Sequence, residues 1–145
     1  MAANDNLAAA RRITFELFQD GKLTLLEELT APDFRNEGQT AGPTQGRASL
    51  ANAIERVRGA FPDLRYHLEH EIAEGDAVVH HLVARGTHRG PIAGFAPTGK
   101  TAVWREMHLM RFAGGRMVEQ WGVVDRLGLL QQLGAVLDLA STRRS

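Results

Sequence analysis

Residues 101–125 read TAVWREMHLMRFAGGRMVEQWGVVD, and this stretch decides the fold. Two runs in which apolar and polar residues alternate, 101–112 and 116–125, lie on either side of Gly114-Gly115. Alternation with a period of two is typical of β-strands, and a connection of two glycines is typical of a tight hairpin turn. The stretch therefore predicts two long antiparallel strands joined by a hairpin.

The second strand of this hairpin has an unusual predicted face. Its odd positions share one side, and they are Met117, Glu119, Trp121, Val123 and Asp125. Burying an ionised carboxylate is costly unless it is paired, and burial tends to raise its pKa, which suits a general base near neutral pH. We interpret this face as enclosed because Trp121 and Val123 lie between the two acids. The alternative is a solvent-facing side on which Trp121 keeps only its polar edge in water.

The first strand of the hairpin has its bulky residues at even positions, so we expect these to face inward. They are Ala102, Trp104, Glu106, His108, Met110 and Phe112. Glu106 and His108 are the polar groups on this otherwise apolar face. The neighbouring strand supplies acids on its own predicted inner face, which supports the hypothesis of a carboxylate–imidazole pair. The pattern leaves the distance from His108 to Asp125 open.

The remaining patterns predict an α+β fold. Helical spacing predicts helices over 4–19, 23–29, 47–61 and 126–139, and alternation predicts strands over 64–74 and 77–88. Residues 34–46 are rich in Gly, Thr, Gln and Pro, which predicts an irregular connection or a lid. Helices followed by hairpin-linked strands indicate an α+β class with a curved antiparallel sheet. Helices packed across such a sheet enclose a pocket.

Composition restricts the function classes. The chain has 145 residues, which fits one domain over 1–145, with a core at about 8–134 and a tail at 135–145. Its formal net charge is zero, so no global field recruits nucleic acid or an anionic membrane. The absence of cysteine excludes disulfides and thiolate chemistry. No apolar run is long enough to span a membrane, so we expect a soluble cytoplasmic protein.

The six histidines give no recognisable metal motif. His80 and His81 are adjacent on a strand and point to opposite faces, and His67 and His70 have opposite parity on another strand. We therefore expect no metal site.

Several short segments between about residue 8 and residue 134 have a distinctive sequence: Phe61-Pro62-Asp63-Leu64, Ala73-Glu74-Gly75-Asp76, Gly86-Thr87-His88-Arg89-Gly90, Pro97-Thr98-Gly99-Lys100, Met110-Arg111-Phe112 and 119–134. Together these segments resemble those of the SnoaL-like polyketide cyclases, also called ester cyclases. These enzymes belong to a superfamily of cone-shaped α+β barrels that includes ketosteroid isomerase and scytalone dehydratase.

The resemblance implies a single SnoaL-like domain whose N-terminal helices and curved sheet form a cone-shaped barrel around a pocket. It implies cofactor-free ring closure by intramolecular aldol condensation, with Asp125 as the catalytic acid/base and His108 as its histidine partner. It also implies a homodimer that uses the outer face of the sheet, and an apolar or aromatic small molecule as substrate. We expect the substrate to contact the following residues: Trp121, Trp104, Glu106, Glu119, Met110, His80, His88, Phe34 and Phe61.

Two other functions remain open at this point. The first is a binding protein of the same fold that holds a small apolar ligand without chemistry. The second is an epoxide hydrolase or isomerase type of enzyme on the same barrel. An epoxide hydrolase would need a second inward aspartate and an arginine around a water, and only Asp125 is predicted to face inward.

Overall fold

The structure of the protein is a computed structural model, and it describes residues 3–37 and 44–135. Residues 38–43 of the predicted connection at 34–46, the end of the predicted helix at 126–139 and nearly all of the predicted tail lie outside the described residues. In the part of the chain that is described, no helix is long and apolar enough to cross a membrane.

The first helical segment changes its winding halfway. Helix α1 (Ala3–Arg12) continues as a π-helical segment, Ile13–Gln19, which places Thr14 and Phe18 over the sheet. The side chains of Ala10, Ile13 and Leu17 are buried, as helical spacing predicts for one apolar face. The other helical segments are a 3₁₀ turn (Leu23–Leu25), α2 (Leu26–Leu29), α3 (Arg47–Ala60) and α4 (Arg126–Gln132).

Six strands form one sheet within the described residues, in the order β2-β1-β6-β5-β4-β3. Their bounds are β1 (Thr30–Asn36), β2 (Thr44–Gln45), β3 (Arg65–Glu74), β4 (Ala77–Thr87), β5 (Thr101–Ala113) and β6 (Arg116–Val124). All neighbours are antiparallel except β1 and β6, which are parallel. The sheet is open, with β2 and β3 at its edges, and the predicted α+β class with a curved, mainly antiparallel sheet is confirmed.

Strand β1 was not predicted from the sequence. Pro32 lies inside it, and proline lacks the N–H that a central strand needs. The pairing of β1 with β6 has an irregularity between Thr30 and Arg35, so Pro32 lies where the ladder is interrupted. At that point the strand needs no N–H from residue 32, so the proline does not disturb the pairing.

A β-bulge in β6 changes which side chains face inward. Phe112 pairs with Met117, whereas Arg111 pairs with Glu119, so Val118 is an extra residue in β6. An extra residue moves every later side chain to the opposite face. Met117 is therefore buried as predicted, but Gln120 replaces Glu119 and Trp121 on the inner face.

Two hydrophobic clusters form the core, and the inner face of β5 crosses both. Met110 and Phe112 belong to the first cluster, with Leu17 and Phe34. Trp104 belongs to the second cluster, with Phe61, Leu129 and others. Glu106 and His108 lie on β5 between these two apolar regions, which is where the sheet presents its polar groups to the interior.

Candidate active site

A cavity of about 110 Å³ lies between the sheet, the π-helical segment and α3. One wall is mainly apolar and comes from the helices, and the other carries polar side chains of the sheet. The lining residues are Phe18, Asn36, Leu50, Ala53, Ile54, Val57, Tyr66, Glu106, His108, Gln120 and Gly122. A second space of about 10 Å³ adjoins it and is also lined by Phe18, Tyr66, His108 and Gln120. The polar wall therefore faces a mainly apolar enclosure.

His108 is held between two polar side chains. Its Nε2 lies 2.8 Å from Glu106 Oε1, and its Nδ1 lies 2.7 Å from Gln120 Nε2. An amide nitrogen only donates, so Nδ1 accepts from Gln120, and the remaining proton on Nε2 is donated to Glu106. With the Gln120 amide in this orientation, the N–H of the ring is on Nε2 and the lone pair is on Nδ1. Only 13% of the His108 side chain is exposed, so it faces the cavity rather than bulk water.

Glu106 is held by donors on several sides. The indole N–H of Trp104 donates to Oε2 at 2.7 Å, and the Tyr66 hydroxyl makes a longer contact of 3.4 Å to Oε1. Burial, and then the charge of Glu106, raise the pKa of Tyr66 well above its ordinary value. The phenol therefore stays protonated and donates. These donors fix the direction of the Glu106 carboxyl group.

Gln120 leaves one polar atom unused. Among the described residues, its Oε1 is buried and has no hydrogen-bond partner. A buried acceptor without a partner costs about 1–3 kcal/mol, so such an atom in a cavity wall marks a position where a ligand donor fits. Rotating the amide would instead present Oε1 to His108 Nδ1, which suits a protonated imidazole. Gln120 can thus serve both protonation states of His108.

Gly122 makes room for the imidazole. It pairs with His108 across β5 and β6, and it faces the cavity. A Cβ at position 122 would lie 2.8 Å from His108 Nδ1 and 3.1 Å from Cε1. No side chain fits there while the ring keeps its present position.

Asp125 does not face the cavity, and this part of the prediction is wrong. Its side chain is exposed at the N-cap of α4, where Oδ1 accepts from the Gly128 N–H at 2.9 Å. The bulge at Val118 reverses the predicted face, and β6 ends at Val124. The alternative interpretation, a solvent-facing side, is the one that the structure supports.

This placement predicts that Asp125→Asn keeps turnover within about twofold of the wild-type rate. Asparagine caps a helix about as well as aspartate, so we also expect little change in the free energy of unfolding. Asp125→Ala removes the cap and should lower that free energy by about 1 kcal/mol. Urea denaturation and turnover of both variants measure these effects. A tenfold or larger loss of turnover in Asp125→Asn would show that the Asp125 carboxylate takes part in catalysis.

Trp121 and Glu119 also lie on the outer face, so the prediction that they line the pocket is wrong. The guanidinium of Arg111 lies 5.9 Å from the centre of the Trp121 ring, and Glu119 pairs with Arg111 in the sheet. Both follow the bulge, which explains the reversal. The exposed Val123, at 73%, confirms that this side is open to solvent.

The other predicted substrate contacts lie in three environments. Met110 lines the smaller space. Trp104 lies in the core behind the site and donates to Glu106, so its predicted contact with substrate is wrong. Phe34 and Phe61 are core residues of the two hydrophobic clusters, so the prediction that they line the pocket is wrong. A fully buried phenylalanine usually packs in the core and does not contact a substrate.

His88 is buried away from the cavity. Its Nδ1 accepts from the Thr98 backbone N–H at 3.1 Å, and its ring packs on Phe61 with 5.8 Å between centroids. These contacts hold the connection between β4 and β5 against the end of β4. His88 therefore has a structural position, and its predicted contact with substrate is wrong.

His80 belongs to a buried hydrogen-bonded chain. Its Nδ1 lies 2.8 Å from Thr14 Oγ1, its Nε2 lies 2.8 Å from Glu71 Oε2, and Glu71 pairs with Arg11. Thr14 lines the smaller space, whereas His80 itself lies behind it, so its predicted contact with substrate is wrong. Burial lowers the pKa of His80, and the Glu71 carboxylate only partly opposes this. The imidazole is therefore neutral at pH 7.

The lowered pKa of His80 predicts acid sensitivity. Below its ordinary value of 6.5, the unfolded chain binds a proton that the folded chain does not, so the free energy of unfolding falls as the pH drops from there toward the folded pKa. His80→Gln should remove this component and flatten the curve in that window. Urea denaturation between pH 7.5 and about 5 measures it. Equal slopes in both proteins would contradict the assignment.

Sequence reasoning missed several lining residues. Tyr66, Gln120, Gly122, Phe18 and Asn36 were not proposed. The bulge hid Gln120 and Gly122, and the unpredicted strand β1 hid Asn36. The available signal for Tyr66 was its alternation on β3, which puts it opposite the buried Ala84 of β4.

Comparisons with known proteins identify the family of the chain. A family model described as SnoaL-like polyketide cyclase matches residues 8–133. Nogalonic acid methyl ester cyclase of Streptomyces nogalater is 30% identical over 81% of this chain and 89% of its own length. Aklanonic acid methyl ester cyclase AcmA of Streptomyces galilaeus is 29% identical over 90% of this chain and 92% of its own length.

Solved structures give the same result for the fold. A protein from Jannaschia sp. CCS1, provisionally described as a SnoaL-like polyketide cyclase, superimposes with a TM-score of 0.85 at 24% identity and covers 93% of this chain and 95% of that one. At that identity the likeness supports the fold alone. The family model that matches residues 8–133 and the two curated cyclases show the family itself. The chain belongs to the SnoaL-like polyketide cyclase family.

Proposed function

We propose that the protein closes a ring in a polyketide-like ester by intramolecular aldol condensation, using its own side chains as acid and base and no cofactor. The observation that carries this proposal is the imidazole of His108, fixed between Glu106 and Gln120 on the wall of a mainly apolar cavity. The relatives named as methyl ester cyclases support the substrate class.

The chemistry needs only a modest base. A carbon between two carbonyl groups gives a delocalised enolate, so the Nδ1 lone pair of His108 can accept its proton. The Glu106 carboxylate stabilises the imidazolium that forms, which is the role of a carboxylate paired with a catalytic histidine. The enolate carbon then attacks a ketone carbonyl of the same molecule. The resulting alkoxide takes the proton back from His108, so no atom is gained or lost.

Gln120 assists at the same position. Approach of the substrate carbon to Nδ1 displaces the Gln120 amide nitrogen from the 2.7 Å contact that it now makes. The released N–H is then available to donate to the enolate oxygen, which lies next to the reacting carbon. A donor placed where negative charge develops stabilises the transition state more than the ground state.

The apolar wall holds the substrate in a folded pose. Leu50, Ile54 and Val57 present one side of α3 to the cavity, and Phe18 closes it from the π-helical segment. Holding two reacting groups in place can contribute several kcal/mol to the rate, up to about 7–11 in favourable cases. A cavity of about 110 Å³ is smaller than the 300 Å³ or more of a drug-sized site, so we place the ring-closing end of the ester at His108.

An assay with two esters tests the proposal. Nogalonic acid methyl ester and aklanonic acid methyl ester are each incubated with the protein, and the cyclised product is identified by mass spectrometry and NMR. We expect one of them to be converted, and Glu106→Gln to lower the rate by about 10²-fold because it leaves the imidazolium without its counter-charge. Glu119→Gln, which removes a carboxylate on the outer face, is the matched control and should react normally. Saturable binding of the esters without conversion would favour the alternative of a ligand-binding protein.

We also propose that the protein is a homodimer through the part of the outer face of the sheet that β5 and β6 form. Large apolar side chains are exposed there, including Val103 at 44%, Met107 at 50% and Val123 at 73%. Exposed apolar groups gathered on one face are typical of an interface. Sedimentation velocity measures the state directly, and a monomer at micromolar concentration would contradict it.

A further inference from the structure

The outer face of β3 and β4 carries a cluster of Glu69, His70 and His81. Leu68 pairs with Leu82, but His70 pairs with His81, so Glu69 is an extra residue in β3. This bulge brings Glu69 and His70 to the same face as His81, where all three side chains meet. The parity that predicted divergent histidines holds only for an unbroken strand, and the bulge removes that argument against a metal site.

The spacing of the three side chains matches a coordination sphere. The Nδ1 atoms of His70 and His81 lie 3.0 Å apart, and His81 Nδ1 lies 3.7 Å from Glu69 Oε2. One ligand atom from each of the three residues can be chosen so that all lie within 4.8 Å of one another. Around a tetrahedral Zn²⁺ with bonds of about 2.0–2.1 Å, neighbouring ligand atoms lie about 3.3 Å apart. Shifts of a few tenths of an ångström would therefore complete the geometry for the closest pairs.

The two imidazoles face each other through one nitrogen each. Their ring planes are inclined by 18° with 5.2 Å between centroids, and their Nδ1 atoms lie 3.0 Å apart. At that distance one Nδ1 donates to the other, so one proton lies between the two rings. A divalent cation can take the place of that proton, which moves to Nε2 of the same ring, and both Nδ1 lone pairs then bind the metal.

We propose that Glu69, His70 and His81 form a binding site for a divalent transition metal such as Zn²⁺. Two imidazoles and a carboxylate are ligands that suit Zn²⁺, Ni²⁺ and Cu²⁺, and the exposed position leaves room for water as a further ligand. The bound ion stabilises the pairing of the edge strand β3 with β4, because its ligands come from both strands. The site lies on the face of the sheet opposite the cavity, so it acts on stability rather than in the aldol reaction.

Arg105 limits the affinity of this site. Its guanidinium lies 2.6 Å from Glu69 Oε2. This contact fixes the direction of the Glu69 carboxylate, but a metal must share the carboxylate with a positive charge. Removing that charge should strengthen metal binding.

Titration of the untagged full-length chain with ZnCl₂, after removal of metals with EDTA, tests the proposal. Isothermal titration calorimetry should give one Zn²⁺ per chain, and saturating Zn²⁺ should raise the Tm. His81→Ala and Glu69→Gln should each weaken binding at least about tenfold and abolish most of the Tm shift, whereas Arg105→Gln should bind more tightly. His67→Ala, which removes an exposed histidine from the same strand outside the cluster, is the matched control and should bind as the wild type does.

Two outcomes would overturn the proposal. One is the absence of stoichiometric binding by the wild type at micromolar Zn²⁺. The other is equal affinity in the wild type and in both His81→Ala and Glu69→Gln. The conservative Glu69→Gln keeps the test valid if His81→Ala folds poorly, because the Glu69 side chain lies on the surface.

Discussion

Replacing His108 with glutamine is expected to lower kcat by about 10²–10⁴-fold, the usual contribution of a positioned general base. Glutamine can still donate to Glu106, so the buried carboxylate keeps a partner and the fold should persist. It cannot accept a proton from carbon at neutral pH. Steady-state kinetics with the ester that is converted in the assay measures the effect, and urea denaturation checks the fold.

The division between kcat and KM makes this prediction specific. His108 acts on the reacting carbon, so KM should change little while kcat falls. His67→Gln, an exposed histidine on β3, is the matched control and should leave both constants unchanged. A His108→Gln enzyme that loses only affinity for the ester would contradict a role in proton transfer.

Replacing Gly122 with alanine is the second large expected effect. The added Cβ would lie 2.8 Å from His108 Nδ1, so the imidazole must move away from its present position. A displacement of about 1 Å at a reacting group can cost about 10²-fold in rate. Stability should change little, because alanine restricts the unfolded chain more than glycine does and offsets part of the local strain. We therefore expect a folded protein with a kcat at least about 10²-fold lower.

Gly59→Ala provides the control for this variant. A Cβ at position 59, at the end of α3, meets no atom within 4 Å, so turnover should be unaffected. Kinetics and the thermal unfolding of both variants are compared in the same buffer. Wild-type turnover in Gly122→Ala would mean that the position of the His108 ring does not matter for the reaction.

Much of the fold follows from residue patterns, because alternation and helical spacing are local. The strands β3 to β6 and the helix α3 lie within two residues of their predicted bounds. The inner face of β5 was also predicted, since β5 pairs with β4 without interruption. That regularity is why Glu106 and His108 were identified correctly as inward polar groups.

The errors arise where the period of two is interrupted. Val118 has no local feature that marks a bulge. Because of this one extra residue, Gln120 and Gly122 face the cavity, and Glu119 and Trp121 face outward. The bulge at Glu69 had the same effect on β3, where it placed His70 on the face that carries His81. Bulges are set by pairing across the sheet, which a single strand does not encode.

Asp125 differs from these cases because the sequence did contain the relevant signal. A helix was predicted from residue 126, and an aspartate directly before a helix is a common N-cap. The structure has this cap, with Oδ1 accepting from Gly128. Local capping chemistry was a better guide here than the face predicted from alternation.

Hydrogen–deuterium exchange at the acidic carbon of the ester tests most directly whether the His108 imidazole removes its proton. The ester is incubated in D₂O with the wild type, His108→Gln or Asp125→Asn, and deuterium between the two carbonyl groups is measured by mass spectrometry. We expect rapid exchange with the wild type and with Asp125→Asn, and only the uncatalysed rate with His108→Gln. Exchange at the wild-type rate with His108→Gln, together with its loss in Asp125→Asn, would contradict it.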